Sequence, residues 1–310
     1  GLGDVYKRQA NGLVNFENRE VIEIIISNID LSGNGQYRDY ENNLDSIFYK
    51  DLATTNILGL DTFEITKLRE KIVALLGTES FDMAVRNQKE KKFRNIIKKE
   101  FPKSKIQELL PMFITREDEK IQEMVTDLAK VPDIFEYILA IAWFYLSDTE
   151  YSIIDSLKLP LDANFKPLGH ASGGDGDIII NHPNLTIMLE ATLMKKNVQK
   201  RGELEPVIRH ATNLSITSEN KVKTIFVADE LDDNVINIFR ATTYIELEGT
   251  NVNGKVNGVN IFALTISEIM KMLEFNIPSS KVFNAMNNHF TNQPEFVKCG
   301  WRNLILQEIF

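Results

Sequence analysis

Two hydrophobic rhythms divide this chain. From about residue 15 to residue 130 the apolar positions recur at helical spacing, and beyond residue 176 they alternate or gather in short β-branched runs between Gly, Pro and Asn. The clearest early helix is Thr62–Leu76, with Phe63, Leu68, Ile72, Val73, Leu75 and Leu76 near one face and Gly77 placed as the residue that ends it. Thr115–Asp118 reads as a capping box with Asp in the Glu position, opening a helix that stops before Pro132. The next helix, Asp133 to about Leu146, is apolar apart from Asp133 and Glu136, which predicts a helix buried against a sheet.

The strand rhythm begins at Asp177. Gly173, Gly174 and Gly176 give a flexible approach, and Ile178, Ile179 and Ile180 form a short β-branched strand. His182, Pro183 and Asn184 make a turn, because Pro cannot continue a paired strand and Asn tolerates turn geometry. Leu185–Leu193 then alternates, with Ile187, Leu189, Ala191 and Leu193 on one side and Thr186, Met188, Glu190 and Thr192 on the other. Downstream, Lys223–Ala228 reads as a buried strand, Asp232–Ala241 as a helix, and Tyr244–Leu247 and Ile261–Leu264 as strands around a Gly-rich loop or hairpin. Thr265–Glu268 is a capping box for a helix through Leu273. Helices alternating with strands in this way predict an α/β fold, a mixed sheet flanked by helices and preceded by a mainly helical region.

Length adds that 310 residues exceed one small module, so two units are expected. At 43% hydrophobic and 25% charged the chain is an ordinary globular one, which excludes disordered and low-complexity classes. Cys299 is the one cysteine, so an intrachain disulfide and a multi-cysteine zinc site are both excluded and a reducing compartment is expected. The longest apolar run, Tyr137–Leu146, is too short to cross a bilayer, so the expected location is the cytoplasm, with no membrane partner. Residues 1–9, GLGDVYKRQ, carry no hydrophobic periodicity and read as a non-native leader, which makes the chain a C-terminal piece of a longer protein.

Charge argues against an unspecific coating of polyanions, since 35 basic residues stand against 44 acids for a net −9. The distribution is uneven. Arg86–Lys105 holds nine basic residues against two acids, read either as a phosphate-contacting surface or as a solvated helix face.

The chemistry concentrates between Gly173 and Ala211. A carboxylate in mid-strand, as at Glu190, is disfavoured unless something positive meets it. The hairpin turn folds Asp177 back towards Glu190, so both could reach one Mg²⁺, a hard cation that takes oxygen ligands and keeps several waters. The alternative is that Asp177 is a loop acid and Glu190 pairs with Lys195 or Lys196. Glu203 and His210 are about two helical turns apart, with Gln199 one turn before, so all could line one helix face, with Pro206 either kinking that helix or starting it. Lys195, Lys196, Lys200, Arg201 and Arg209 form a basic cluster suited to phosphate beside them. His170, His182 and His289 sit in loop, turn and polar-helix contexts that carry no such argument.

Gly173–Asp177, the strand LEATL at Leu189–Leu193 and QKRGELEPVIRH at Gln199–His210 resemble the cleavage domain of the AlwI family of type IIS restriction endonucleases and their nicking relatives. That domain is similar to the FokI cleavage domain, a variant of the PD-(D/E)xK nuclease core, and the likeness covers about residues 130–275; Val131–Ala142 also looks like its opening helix. The resemblance implies Asp177 and Glu190 as metal ligands, the Ala191 carbonyl as a further one, and Glu203, His210 and Glu136 as additional active-site groups. It implies Mg²⁺, with Mn²⁺ as a substitute, double-stranded DNA as substrate, and a transient homodimer for double-strand cutting. The core lysine two positions after the second acid is Thr192 here, which leaves the general base open between His210 and a metal-bound hydroxide. The implied division is a leader at 1–9, the end of a DNA-recognition part and its linker at 10–118, and a nuclease domain at 119–310. Other readings are a DNA-binding or dimerisation module without catalysis, a strand-specific nicking enzyme, and a structural calcium loop, which lacks the bidentate glutamate of an EF-hand.

Overall fold

The structure, a computed structural model, describes residues 76–169, 176–291 and 297–310, with scattered positions between 66 and 74. The leader, most of the helix expected at Thr62–Leu76, His170, Gly173 and Gly174 lie outside the described residues. The chain divides into two compact units, Gly1–Lys92 and Phe93–Phe310. In the first, Gly77 terminates a helix as expected: its φ of 62° lies in the left-handed region, and the Thr78 N–H donates to the Val73 carbonyl at 3.2 Å.

The described elements, in order, are α1 (Phe81–Glu100), α2 (Lys103–Thr115), α3 (Asp118–Met124), α4 (Val131–Leu146) and α5 (Ile153–Ser156). Then come β1 (Ile178–His182), β2 (Leu185–Thr192), α6 (Lys196–Gly202), α7 (Leu204–Thr217), β3 (Lys221–Ala228) and α8 (Asp233–Ala241). β4 (Glu246–Glu248), β5 (Lys255–Asn257), β6 (Ile261–Thr265), α9 (Ile266–Phe275), α10 (Ser279–Phe290) and α11 (Trp301–Ile309) complete the set. The main sheet runs β1-β2-β3-β6, with β1 antiparallel to β2 and the remaining neighbours parallel. This is an α/β fold with a mixed sheet flanked by helices. β4 and β5 pair apart from it as a small antiparallel ribbon.

The alternation along β2 sorts the two faces of the sheet. Ile187 and Leu189, with Ile178, Ile225 and Val227, enter the larger core beside α4, while Met188 joins Phe226 and Ala263 in a second core under α7 and α8. α4 packs against β2, α2 and α9, and twelve of its sixteen residues are buried, which a helix apolar on all sides requires. Pro183 and Asn184 form the two-residue turn, with His182 opposite Leu185. The Thr265 hydroxyl and the Glu268 carboxylate cap α9 reciprocally, as the sequence predicts. Arg302 covers the open edge of β6, its Nε donating to the Ala263 carbonyl at 2.9 Å. Buried Arg240 lies over the rings of Phe290 and Tyr244 at 4.2 and 4.9 Å and fastens α10 to α8.

Three expectations need correction. Thr115 is the last residue of α2 and caps nothing downstream; its hydroxyl turns back to the Pro111 carbonyl at 3.2 Å, because buried Met112 and Phe113 carry the helix through it. The following helix ends at Met124, well short of Pro132, and Pro132 lies in the first turn of α4. Finally, His182, read into the turn, is the last residue of β1 and pairs with Leu185; Phe93, Ile97, Phe101, Ile106, Leu109 and Phe113 share one core with α4 within the compact unit Phe93–Phe310.

Leu189 is fully buried on the central strand. Leu189→Ala is expected to lower the unfolding free energy by about 2–5 kcal/mol, measured by urea titration; a change below about 1 kcal/mol would contradict this placement of the core.

Candidate active site

The register of the hairpin assembles the first two acids. Ile178 pairs with Leu189, which sets Asp177 opposite Glu190 one position further on. Asp177 is held there by its Oδ2, which accepts the Ala191 N–H at 2.8 Å. Gly176 makes room: a Cβ at that position would stand 2.4 Å from Met188 Sδ and 3.1 Å from Glu190 Oε1. A side chain there would push into the strand that carries the second acid.

Glu190 is only 6% exposed in the middle of a parallel pair. It pairs with neither Lys195 nor Lys196; His210 Nδ1 lies 2.9 Å from its Oε1, and the nearby Arg209 guanidinium also favours its charged form. Lys196 instead faces Asp233 at 3.8 Å. Asp177 is likewise no free loop acid, being half-buried and hydrogen-bonded.

Glu203 joins from the junction of α6 and α7, serving as the C-cap of one and the N-cap of the other. The break has a covalent cause: Pro206 has no N–H to return to Gly202, so a new helix starts with Val207 donating to the Glu203 carbonyl at 3.0 Å. Gln199, Glu203 and His210 therefore do not share one helix face. Glu203 Oε1 accepts the Thr192 hydroxyl at 2.5 Å, and that hydroxyl oxygen accepts the Met194 N–H at 3.1 Å. Thr192 is thus a fully engaged hydroxyl. Gln199 is wholly buried, and its amide is spent on the main chain at Met194, Glu230 and Asp232.

Glu136 approaches from the first turns of α4. Burial comes first in raising its pKa, and the charges of Asp177, Asp133 and Glu203 add to it, pushing it up to about 9. Burial also lifts Asp177 and Glu190 well above the carboxylate range, Asp177 with help from Glu190 and Glu190 with help from Glu203 and Glu136. Glu203 is raised by burial, against the Thr192 hydrogen bond and His210. Four carboxyl groups, from the approach to β1, from β2, from the α6–α7 junction and from α4, thus influence one another, with the Arg209 guanidinium and the His210 ring beside Glu190.

Such a set fits a divalent cation, which supplies the positive charge the site lacks. Among the described residues no three His, Cys, Asp or Glu side chains close on one point as a ready-made cage. A magnesium-type ion asks for less, since one or two carboxylates with retained waters suffice, and Asp177 and Glu190 with the Ala191 carbonyl between β1 and the rest of the sheet are of that kind. Sequence reasoning named the acids and His210. It did not find Gly176 as the close approach, Thr192 as the partner of Glu203, or Gln199 as a main-chain clamp; the dipeptide Gly176-Asp177 was a local signal for the first, and the other two depend on tertiary contacts.

The AlwI restriction endonuclease family model matches residues 5–272 of the chain. No curated protein sequence matches it. Among solved structures, the small subunit of the heterodimeric restriction endonuclease R.BspD6I is similar at 16% identity, over 66% of this chain and 100% of that one, with a TM-score of 0.48. Among the described residues no helix is long and apolar enough to cross a membrane.

The raised carboxyl pKa values set a pH dependence. Glu136 keeps its proton in the folded state up to about pH 9, whereas the unfolded chain has released it above its ordinary value of 4.5. Its contribution to stability is therefore complete below that lower value and is lost as pH rises towards 9. In chelator, the thermal midpoint is expected to fall from pH 5 to pH 9. Glu136→Gln should flatten that decline and unfold about 2–4 °C higher than wild type at pH 8.5. Parallel curves for the two proteins would remove Glu136 from the cluster.

Proposed function

The chain belongs to the AlwI restriction endonuclease family, and on that premise we propose that it is the C-terminal part of a type IIS enzyme that hydrolyses phosphodiester bonds of double-stranded DNA with Mg²⁺, outside an asymmetric recognition site. On this reading residues up to about 118 are the end of the recognition part and its linker, and the acids lie in the nuclease domain that follows. The observation that carries the proposal is the meeting of Asp177, Glu190, Glu203 and Glu136 in one desolvated place with His210 against Glu190. One buried and three half-buried carboxyls placed together cost stability, and a structural role gives no reason to gather them.

Asp177, Glu190 and the Ala191 carbonyl would hold Mg²⁺, with Mn²⁺ able to take its place. When bound, the ion polarises the phosphodiester and lowers the pKa of water. The chain's own groups do the rest. A hydrogen bond from His210 Nδ1–H to Glu190 Oε1 fixes the tautomer with the lone pair on Nε2, the atom suited to accept the proton of the attacking water. Thr192 keeps Glu203 oriented through Oε1, and Glu136, protonated near neutral pH, can donate to a phosphate or leaving-group oxygen. Double-strand cutting would require two such sites, brought together in a transient homodimer.

The test is conversion of supercoiled plasmid to nicked and linear forms at low salt with Mg²⁺ or Mn²⁺. Metal-dependent conversion is expected, falling at least 100-fold in Asp177→Ala with the thermal midpoint retained; undiminished cutting by that variant would sink the site assignment. Thr192→Ser should stay within a few-fold of wild type and Thr192→Val should lose about 10-fold or more, because only the former keeps the hydroxyl on Glu203. Equal rates for the two would show that the hydroxyl does not contribute.

A further inference from the structure

Helix α6 has no hydrophobic reason for its position. It is seven residues long and buries one side chain, Gln199, which is polar. Lys195, Lys196, Val198, Lys200 and Arg201 are all exposed around it. A helix this short is unstable by itself, and it is fixed by two polar devices. Gln199 Nε2 donates to the carbonyls of Met194 at 3.1 Å and Glu230 at 2.6 Å, and its Oε1 accepts the Asp232 N–H at 3.1 Å. The second device is the 2.5 Å bond from Thr192 to Glu203, which ties the start of the excursion carrying α6 to its end. Both ends of that excursion belong to the carboxylate site, so the outward face of α6 stands within about one helix length, roughly 10 Å, of the acids.

That outward face is basic in a chain of net charge −9. Lys196 is partly engaged by Asp233 at 3.8 Å, which leaves Lys195, Lys200 and Arg201 as its main exposed charges. A polyanion gains by meeting fixed cations that displace its condensed counterions, and these stand beside the acid cluster. We propose that α6 is a clamped phosphate-contacting platform, whose Lys195, Lys200 and Arg201 hold the DNA backbone against the acid cluster. This rests on the nuclease reading given above and adds to it the surface that seats the substrate.

The platform is tested by binding, apart from cleavage. A labelled DNA duplex is titrated with the full chain in chelator across a series of NaCl concentrations, and the slope of log K against log salt is measured. The triple variant Lys195→Ala/Lys200→Ala/Arg201→Ala is expected to bind at least 10-fold more weakly at low salt, with a slope shallower by about 2–3, since each phosphate contact contributes about 0.9. Its thermal midpoint should match wild type because all three side chains are exposed. The charge-preserving Lys195→Arg/Lys200→Arg/Arg201→Lys should bind like wild type. A triple alanine variant with wild-type affinity and slope overturns the platform, as does a wild-type chain that does not bind duplex at low salt. Duplex bound through these residues but left uncut with Mg²⁺ and Mn²⁺ would instead overturn the nuclease reading while leaving the platform standing.

Discussion

Burying Glu190 is the constraint around which the second unit of this chain is arranged. A carboxylate 6% exposed on a central strand is expensive to ionise, and each neighbouring feature answers that cost or adds to it. The hairpin brings Asp177 opposite and makes the problem worse, while His210 and Arg209 arrive from α7 to ease it. Gly176 lets the strands close without a side chain between them. The Ala191 N–H supplies a dipole for Asp177. Large apolar elements on both faces, α4 on one side and α7 with α8 on the other, give the sheet the rigidity to hold like charges close. The second unit thus uses the stability of its core to hold acids together against the cost of their desolvation.

What could be read in the sequence was what local chemistry decides. The side-chain alternation of β2, the break at Pro183 and Asn184, the capping box at Thr265 and the left-handed stop at Gly77 each depend on a few adjacent residues and stand as read, while His182, read into the turn, belongs to β1. The meeting of Asp177 with Glu190 belongs with them, because a tight hairpin turns sequence spacing into register. Thr115 failed for the opposite reason. Its pattern suits a cap, but Met112 and Phe113 are buried in the large core and extend the preceding helix past it. Charge and capping patterns likewise said nothing of the core shared by Phe93, Phe101 and Phe113 with α4.

At the site, residue types were legible and their connections were not. Gln199 read as a member of a polar helix face, yet it is wholly buried and bonded to main-chain groups from two other loops. Those partners are up to 33 positions away in sequence, beyond any local pattern. Pro206 allowed two geometries, and the start of a new helix at Leu204, with Pro206 in its first turn, selects between them. That choice places Glu203 at a junction, where its side chain can turn back towards β2.

Thr192 shows how one substitution reshapes this arrangement. A lysine at that position would bring a cation into the cluster and ease the burial of the acids directly. Threonine leaves the cluster one positive charge poorer, so the compensation shifts to His210, Arg209 and any bound metal. In exchange it offers a short hydroxyl that accepts the Met194 N–H and donates to Glu203. Those two bonds do what a long flexible amine on its own stem would not, since they tie the end of β2 to the far side of α6. Thr192 is therefore the residue that fixes both the fourth acid and the basic helix beside it.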